Sequence, residues 1–84
     1  MITDIGRHPL YAWAMRVVIN GEERTVAEAI SIAGLVAELV EERGLPRAAY
    51  AVELNRIVIP RREHAERFLA DGDVLEIVTL VGGG

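Results

Sequence analysis

The residues best suited to do chemistry stand at the end of the sequence, where the apolar run Leu80-Val81 passes straight into Gly82-Gly83-Gly84. Glycines carry no side chain, so a chain end built from them can pass down a channel too narrow for a Cβ and take whatever φ the channel imposes. Five extended residues reach about 17 Å, enough to deliver an α-carboxylate into another protein's buried site while the folded body stays outside. A free α-carboxylate can be acyl-activated, and its position makes it unique in the chain. The plain structural reading of such glycines is a frayed tail, so the weight of the motif depends on the body that carries it.

Other candidate groups read as structural. Ser31 stands at the start of an apolar-periodic stretch with no histidine near it in sequence, which suits a helix cap better than a nucleophile. His8 lies in the N-terminal stretch and His64 on the polar face of a short helical segment. Neither has the paired spacing of a zinc site, and both are expected on the surface. Glu41-Glu42 falls on a solvated helix face, and Asp71 and Asp73 fall in a turn. Gly21, Gly44 and Gly72 are accounted for by turns and caps, so no glycine-rich phosphate loop is present in the sequence.

Eighty-four residues make one domain, with about 60% of the unfolded surface available for burial. With no cysteine to form a disulfide, the 51% apolar content must drive folding. A net charge of -4 argues against a nucleic-acid partner. No apolar run approaches the ~18 residues of a membrane span, and Asp4, Arg7, His8 and Pro9 interrupt the stretch where a signal peptide would be unbroken. A cytoplasmic location with no membrane partner is expected. All nine Lys and Arg positions are Arg. Compositional bias of the genome accounts for this; a second reading is that a lysine-free surface offers few amines to an activated carboxylate.

Met15 to Asn20 is a β-branched run ending in Asn20-Gly21, the pair that best tolerates a type I′ hairpin turn, with Glu22 to Val26 as the return strand. Ile32, Leu35, Val36, Leu39 and Val40 trace one helix face, Ser31 supplies an N-cap, Gly44 a left-handed C-terminus and Pro46 a stop. The stretch Ala27 to Ile30 fits either a helical extension or a loop. Tyr50 to Leu54 and Ile57 to Ile59 form a second hairpin around Asn55-Arg56, and Arg61 to Leu69 has the apolar spacing of a short helical segment. Val74 to Thr79 is the last strand, and its continuous apolar content predicts a central position covered on both faces. Residues 1–14 form an N-terminal extension, and residues 15–84 a single domain with a projecting tail at 80–84. The order strand, strand, helix, strand, strand, short helix, strand predicts an α+β β-grasp, or ubiquitin-like, fold: a mixed sheet of about five strands, the first and last parallel, crossed by one main helix.

On this body the glycine tail becomes a projecting arm. Val18-Ile19-Asn20-Gly21-Glu22, Val52-Glu53-Leu54-Asn55 followed by Ile57-Val58-Ile59-Pro60-Arg61, and above all Asp71-Gly72-Asp73-Val74-Leu75-Glu76-Ile77-Val78-Thr79-Leu80-Val81-Gly82-Gly83-Gly84 resemble the thiamine-biosynthesis sulfur carrier family over Met15 to Gly84. Molybdopterin-type sulfur carriers share the fold and the terminal Gly-Gly but are less similar in the last two segments. The resemblance implies a carrier that is not itself an enzyme, has no permanently bound cofactor and supplies no catalytic residues of its own. An E1-like adenylyltransferase would use ATP and magnesium to adenylate the Gly84 carboxylate. A cysteine-derived persulfide would then convert it to a thiocarboxylate, and thiazole synthase would take the sulfur. Leu80, Val81, Gly82 and Gly83 would thread into these partners. Three features depart from the family pattern: residues 1–14 precede it, Ala27 to Gly34 is longer than typical, and there are three terminal glycines where two are usual.

The same fold also serves ubiquitin-like protein modifiers, whose last glycine is joined to lysines of target proteins, and plain binding modules in which a glycine tail is incidental. Partner recognition by Leu80, Val81 and the sheet face left bare by the helix is expected, marked by an exposed apolar patch on that face.

Overall fold

Asn20 and Gly21 take φ of 51° and 86°, and Asn55 and Arg56 take 51° and 73°. Both two-residue loops therefore have the double positive φ of type I′ hairpin turns, whose twist matches that of the strands they join. In the computed structural model, which describes residues 14–44 and 50–79, the first loop joins β1 (Ala14–Ile19) to β2 (Glu22–Ala27). The second joins β3 (Tyr50–Leu54) to β4 (Ile57–Ile59). Helix α1 (Ile32–Arg43) lies between the hairpins and β5 (Val74–Thr79) follows them. Among the described residues the sheet has the order β2-β1-β5-β3-β4. β1 runs parallel to β5, and β5 antiparallel to β3. This is the expected mixed β-grasp sheet, with β1 starting one residue earlier than the sequence suggested. No helix among the described residues is long and apolar enough to cross a membrane.

Helix α1 begins where Ser31 Oγ accepts from the Gly34 amide at 3.0 Å and ends at Gly44, φ 69°, whose amide donates to the Val40 carbonyl. Gly34, a poor helix former, has a local reason to be there. A Cβ at that position would lie 3.1 Å from Ile30 Cγ1 and 3.4 Å from Ser31 Oγ, crowding the cap it completes. Ile32, Leu35, Val36 and Leu39 press onto one sheet face made by Met15, Val17, Ile19, Val26, Val52, Leu54, Leu75 and Ile77. Burying each such side chain contributes about 1.5–3 kcal/mol before the ordering cost is subtracted. Across this layer Arg24 grips both oxygens of Glu42 at 2.9 and 2.7 Å and reaches Glu38 at 3.3 Å, tying β2 to the helix.

Of the two readings open for Ala27 to Ile30 the loop is the one observed: Ala27 ends β2, and 28–30 turn the chain with Ala29 at φ 63°. Three expectations need correction. The segment Arg61 to Leu69 makes only one turn of 3₁₀ helix, Arg61–Glu63, followed by irregular turns. Its backbone is instead used by α1: the Ile32 amide donates to the Arg67 carbonyl and the Ala33 amide to the His64 carbonyl, both at 3.0 Å. These bonds satisfy amides of the helix's first turn, which have no intrahelical partner, and leave Leu69 buried but Phe68 61% exposed. His64, expected on the surface, is buried at 3% exposure. β5 is central as expected, yet only Leu75 and Ile77 meet the core; Val74 and Val78 are 44% and 50% exposed. A single helix covers a single face, and an apolar run alone cannot say whether its second face is covered too.

β1 pairs with β5 only at Val18↔Val74 and Ile19↔Leu75. Beyond that point the Asn20 side chain replaces the missing strand: its Oδ1 accepts from the Ile77 amide at 2.7 Å and its Nδ2 donates to the Ile77 carbonyl at 3.1 Å. Asn20→Gly keeps the positive φ and deletes both bonds. It is expected to lower stability by about 1–3 kcal/mol, read as a fall in denaturation midpoint with unchanged slope in urea. The hydrogen bond from Arg24 holds the Glu42 carboxyl below the ordinary glutamate range. A carboxylate whose folded pKa is depressed contributes stability above its unfolded value and loses it as pH falls through the folded one. Glu42→Gln is therefore expected to flatten the acid side of the stability profile, measured by thermal denaturation between neutral pH and pH values below the glutamate range.

Candidate functional site

The tail residues Leu80, Val81, Gly82, Gly83 and Gly84 lie outside the described residues, as does the N-terminal stretch 1–13. The strand that carries the tail is described to its last residue, and three devices hold it. Its start is fixed by Asn55, whose amide and side-chain Oδ1 exchange hydrogen bonds with the Val74 carbonyl and amide at 2.7 and 2.9 Å. Asp73 supports the same corner by accepting from Asn55 Nδ2 at 3.1 Å and from the Ala70 amide at 2.7 Å. Asp71 accepts from the Arg16 amide at 2.8 Å, which confirms Asp71 and Asp73 as turn residues. Its middle is held by Asn20 at Ile77, and its far end by antiparallel pairing along β3 from Leu54↔Leu75 to Tyr50↔Thr79.

Tyr50, opposite Thr79 at the root of the tail, is the centre of a stacked cluster. His64 stacks on its ring with centroids 6.1 Å apart at 22°, and the Arg61 guanidinium carbon lies 4.3 Å from the ring centroid. A cation over a tyrosine face is held by the ring quadrupole. His64 Nε2 bonds the Ile59 carbonyl at 2.9 Å, which makes Nε2 the protonated nitrogen, since a carbonyl can only accept. Thus Arg61 just after β4, His64 in the following turn and Tyr50 on β3 stack together next to Thr79, the last described residue of β5. The sequence offered Arg61 within a recognisable segment, but nothing in it signalled that His64 and Tyr50 would join it.

The face away from α1 is bare. Val18, Val74, Val78, Ala51 and Val58 lie on it, as alternation along each strand requires. Val58 is 61% exposed. This is the exposed apolar patch expected on the uncovered side. Ser31 serves as a cap, Glu41 and Glu42 lie on the exposed side of α1, and among the described residues no group of three or more His, Cys, Asp or Glu could hold a metal ion.

A five-stranded β-grasp body with a braced final strand leading into a glycine tail defines the class of ubiquitin-like carrier folds. Residues 11–84 match the model of the ThiS family. The chain belongs to the ThiS family. It is 40% identical over 70 residues to a thiazole synthase of Paramagnetospirillum magneticum, a match that takes 83% of this chain but only 20% of that protein. It is 37% identical over 68 residues to the sulfur carrier protein ThiS of Thermus thermophilus, covering 81% of this chain and 98% of that one. The crystal structure of the thiamine biosynthesis protein ThiS from Geobacter metallireducens superposes with a TM-score of 0.69 at 30% identity, over 83% of this chain and all of that one.

His64→Ala should remove the stack and leave the Ile59 carbonyl without its donor. It is expected to cost about 2–4 kcal/mol in chemical denaturation, whereas a surface histidine would be replaced with almost no change.

Proposed function

We propose that this chain is a sulfur carrier of thiamine biosynthesis whose Gly84 carboxylate is the working group. The observation that carries the reading is the family match running to residue 84, through the glycine tail. The body supports it: the three devices along β5 fix the strand that precedes the tail, so little ordering of the body is needed on binding.

In the proposed cycle an adenylating enzyme binds the tail and ATP with magnesium. The Gly84 carboxylate attacks the α-phosphorus, pyrophosphate leaves, and the poor electrophile becomes an acyl adenylate with a good leaving group. The terminal sulfur of a cysteine-derived persulfide displaces AMP, and cleavage of the sulfur–sulfur bond by a thiol leaves the thiocarboxylate. The carrier contributes reach and recognition; the donors that stabilise the developing charge belong to its partners. Gly82 to Gly84 allow passage through a narrow channel, and Leu80 and Val81 supply apolar contacts at its mouth.

Thiazole synthase is the proposed acceptor. A thiazole synthase of P. magneticum carries a stretch 40% identical to this chain, so carrier-like and synthase sequence occur there in one polypeptide. That arrangement suits two proteins that act on each other.

The test is intact-mass spectrometry of the untagged chain after incubation with ATP, cysteine and extract from its own source, beside a chain lacking Gly83 and Gly84. Replacement of one oxygen by sulfur at Gly84, absent from the truncation, is the expected result. No shift in an extract that converts a known carrier would overturn the reading in favour of a modifier or a binding module. Val81→Asp is expected to weaken binding to the adenylating enzyme at least tenfold, measured by calorimetry.

A further inference from the structure

All nine Lys and Arg positions in these 84 residues hold arginine, yet the contacts do not call for a guanidinium at each of them. Arg24 uses the fork, bonding both oxygens of Glu42 and reaching Glu38, and Arg61 lies over the Tyr50 ring. Arg16, Arg43 and Arg67 differ. Each meets one carboxylate oxygen through one nitrogen, at 3.3, 3.7 and 3.5 Å, in exposed pairs with Glu23, Glu22 and Glu63. A lysine ammonium makes such single contacts as well. Where the contact is indifferent, the two side chains still differ in reactivity. A guanidinium stays protonated and has no lone pair for attack. Lysine, with a pKa near 10.4, leaves about one amine in 2,500 neutral at pH 7, and a neutral amine is a nucleophile. Other strong nucleophiles are missing too: the sequence has no cysteine, and the Ser31 hydroxyl is engaged at the Gly34 amide.

We propose that the surface within the length of the tail is kept free of primary amines, so that an activated Gly84 carboxyl is passed to sulfur and not to the carrier itself. The proposal rests on the carrier reading above and concerns the fidelity of its activated end. An ε-amine within reach would attack the acyl carbon of the adenylate. The bond from that carbon to the phosphate oxygen would break, AMP would leave with the electron pair, and the amine would release a proton. The product is an isopeptide loop that no thiol reopens, and that carrier is spent.

Strand register says which positions matter. Arg61 lies over Tyr50, and Tyr50 is paired with Thr79. Arg43 pairs with Glu22, which stands level with Leu75 and two strands from β5, because both oppose Ile19. Thr79 is four residues beyond Leu75, so at about 3.3 Å per residue and 4.8 Å per strand it is about 16 Å from Glu22. Leu80 to Gly84 can span about 17 Å. Both arginines therefore stand where the end of the tail can arrive. Arg16 does not: its carbonyl accepts from the Gly72 amide, seven residues before Thr79, which puts it about 24 Å away. A tethered group acts at millimolar effective concentration on what its tether can span and at almost none on what it cannot.

The test incubates the full chain with the adenylating enzyme from its own source, ATP and magnesium, first without a sulfur donor, and reads intact mass and peptide maps. Arg61→Lys and Arg43→Lys are each expected to lose the mass of one water as Gly84 becomes joined to the new lysine, about tenfold more than Arg16→Lys, while the unaltered chain forms no such loop. With a sulfur donor added, the same two variants should give less thiocarboxylate than the unaltered chain. Arg43→Lys keeps a cation opposite Glu22 and so tests the idea even if Arg61→Lys disturbs the Tyr50 stack. Release of pyrophosphate by both variants with no internal loop and with unchanged thiocarboxylate yield would overturn the proposal, attribute the missing lysines to codon bias alone and leave the carrier reading standing. Equal joining at residue 16 would overturn it as well, since reach would then be irrelevant. No pyrophosphate release by the unaltered chain would overturn the carrier reading and this proposal together.

Discussion

β5 is held along its whole length, and it is the strand that precedes the glycine tail in the sequence. Its support on the β1 side is short, since β1 turns away after Ile19. The unpaired amide and carbonyl of Ile77 would then face a gap, and leaving buried backbone groups unsatisfied costs about 1–3 kcal/mol each. Asn20 closes that gap with one primary amide, which has the same donor and acceptor as a peptide group. The requirement that Asn20 both turn the chain at φ 51° and bond Ile77 links the first hairpin to the last strand. Asn55 repeats the device at Val74 from the other hairpin. The two turns are thus clamps on β5.

From that constraint follows a division between the two sheet faces. The helix side is filled by α1 and by irregular backbone from 61–69, which completes the hydrogen bonding of the helix's first turn. Packing on this side is what holds the molecule together. The opposite side carries no element of the described chain, and its valines are only partly withdrawn from water.

Charge is distributed to match. On the helix side Arg24 and Arg43 meet Glu38, Glu42 and Glu22, so β2 and α1 are laced along their exposed border. Exposed pairs of this kind contribute little singly. The bare face differs in that Glu53 and Glu76 oppose each other in register.

The local elements were legible because they follow from short-range chemistry. Asn20-Gly21 sets a turn by tolerance of positive φ, Ser31 and Gly44 set helix ends through orphan backbone groups, and a 3.6-residue period sets the buried face of α1. Those same signals gave the element order of a β-grasp fold, with its last strand central, and pointed to the glycine tail as the one motif without a structural duty. What the sequence left undecided depends on contacts between distant residues. His64 sits among polar neighbours in the chain, yet the sheet brings it beneath Tyr50 and against the Ile59 carbonyl. β5 reads as buried on both faces, because an apolar side chain contributes the same pattern whether the chain itself or a partner is to cover it. Glu53 and Glu76 are 23 residues apart in sequence, and only strand register makes them neighbours. The sequence alone determined which segments fold and where they turn, through interactions a few residues long; the tertiary structure decided which side chains meet, because that is set by pairing across the sheet.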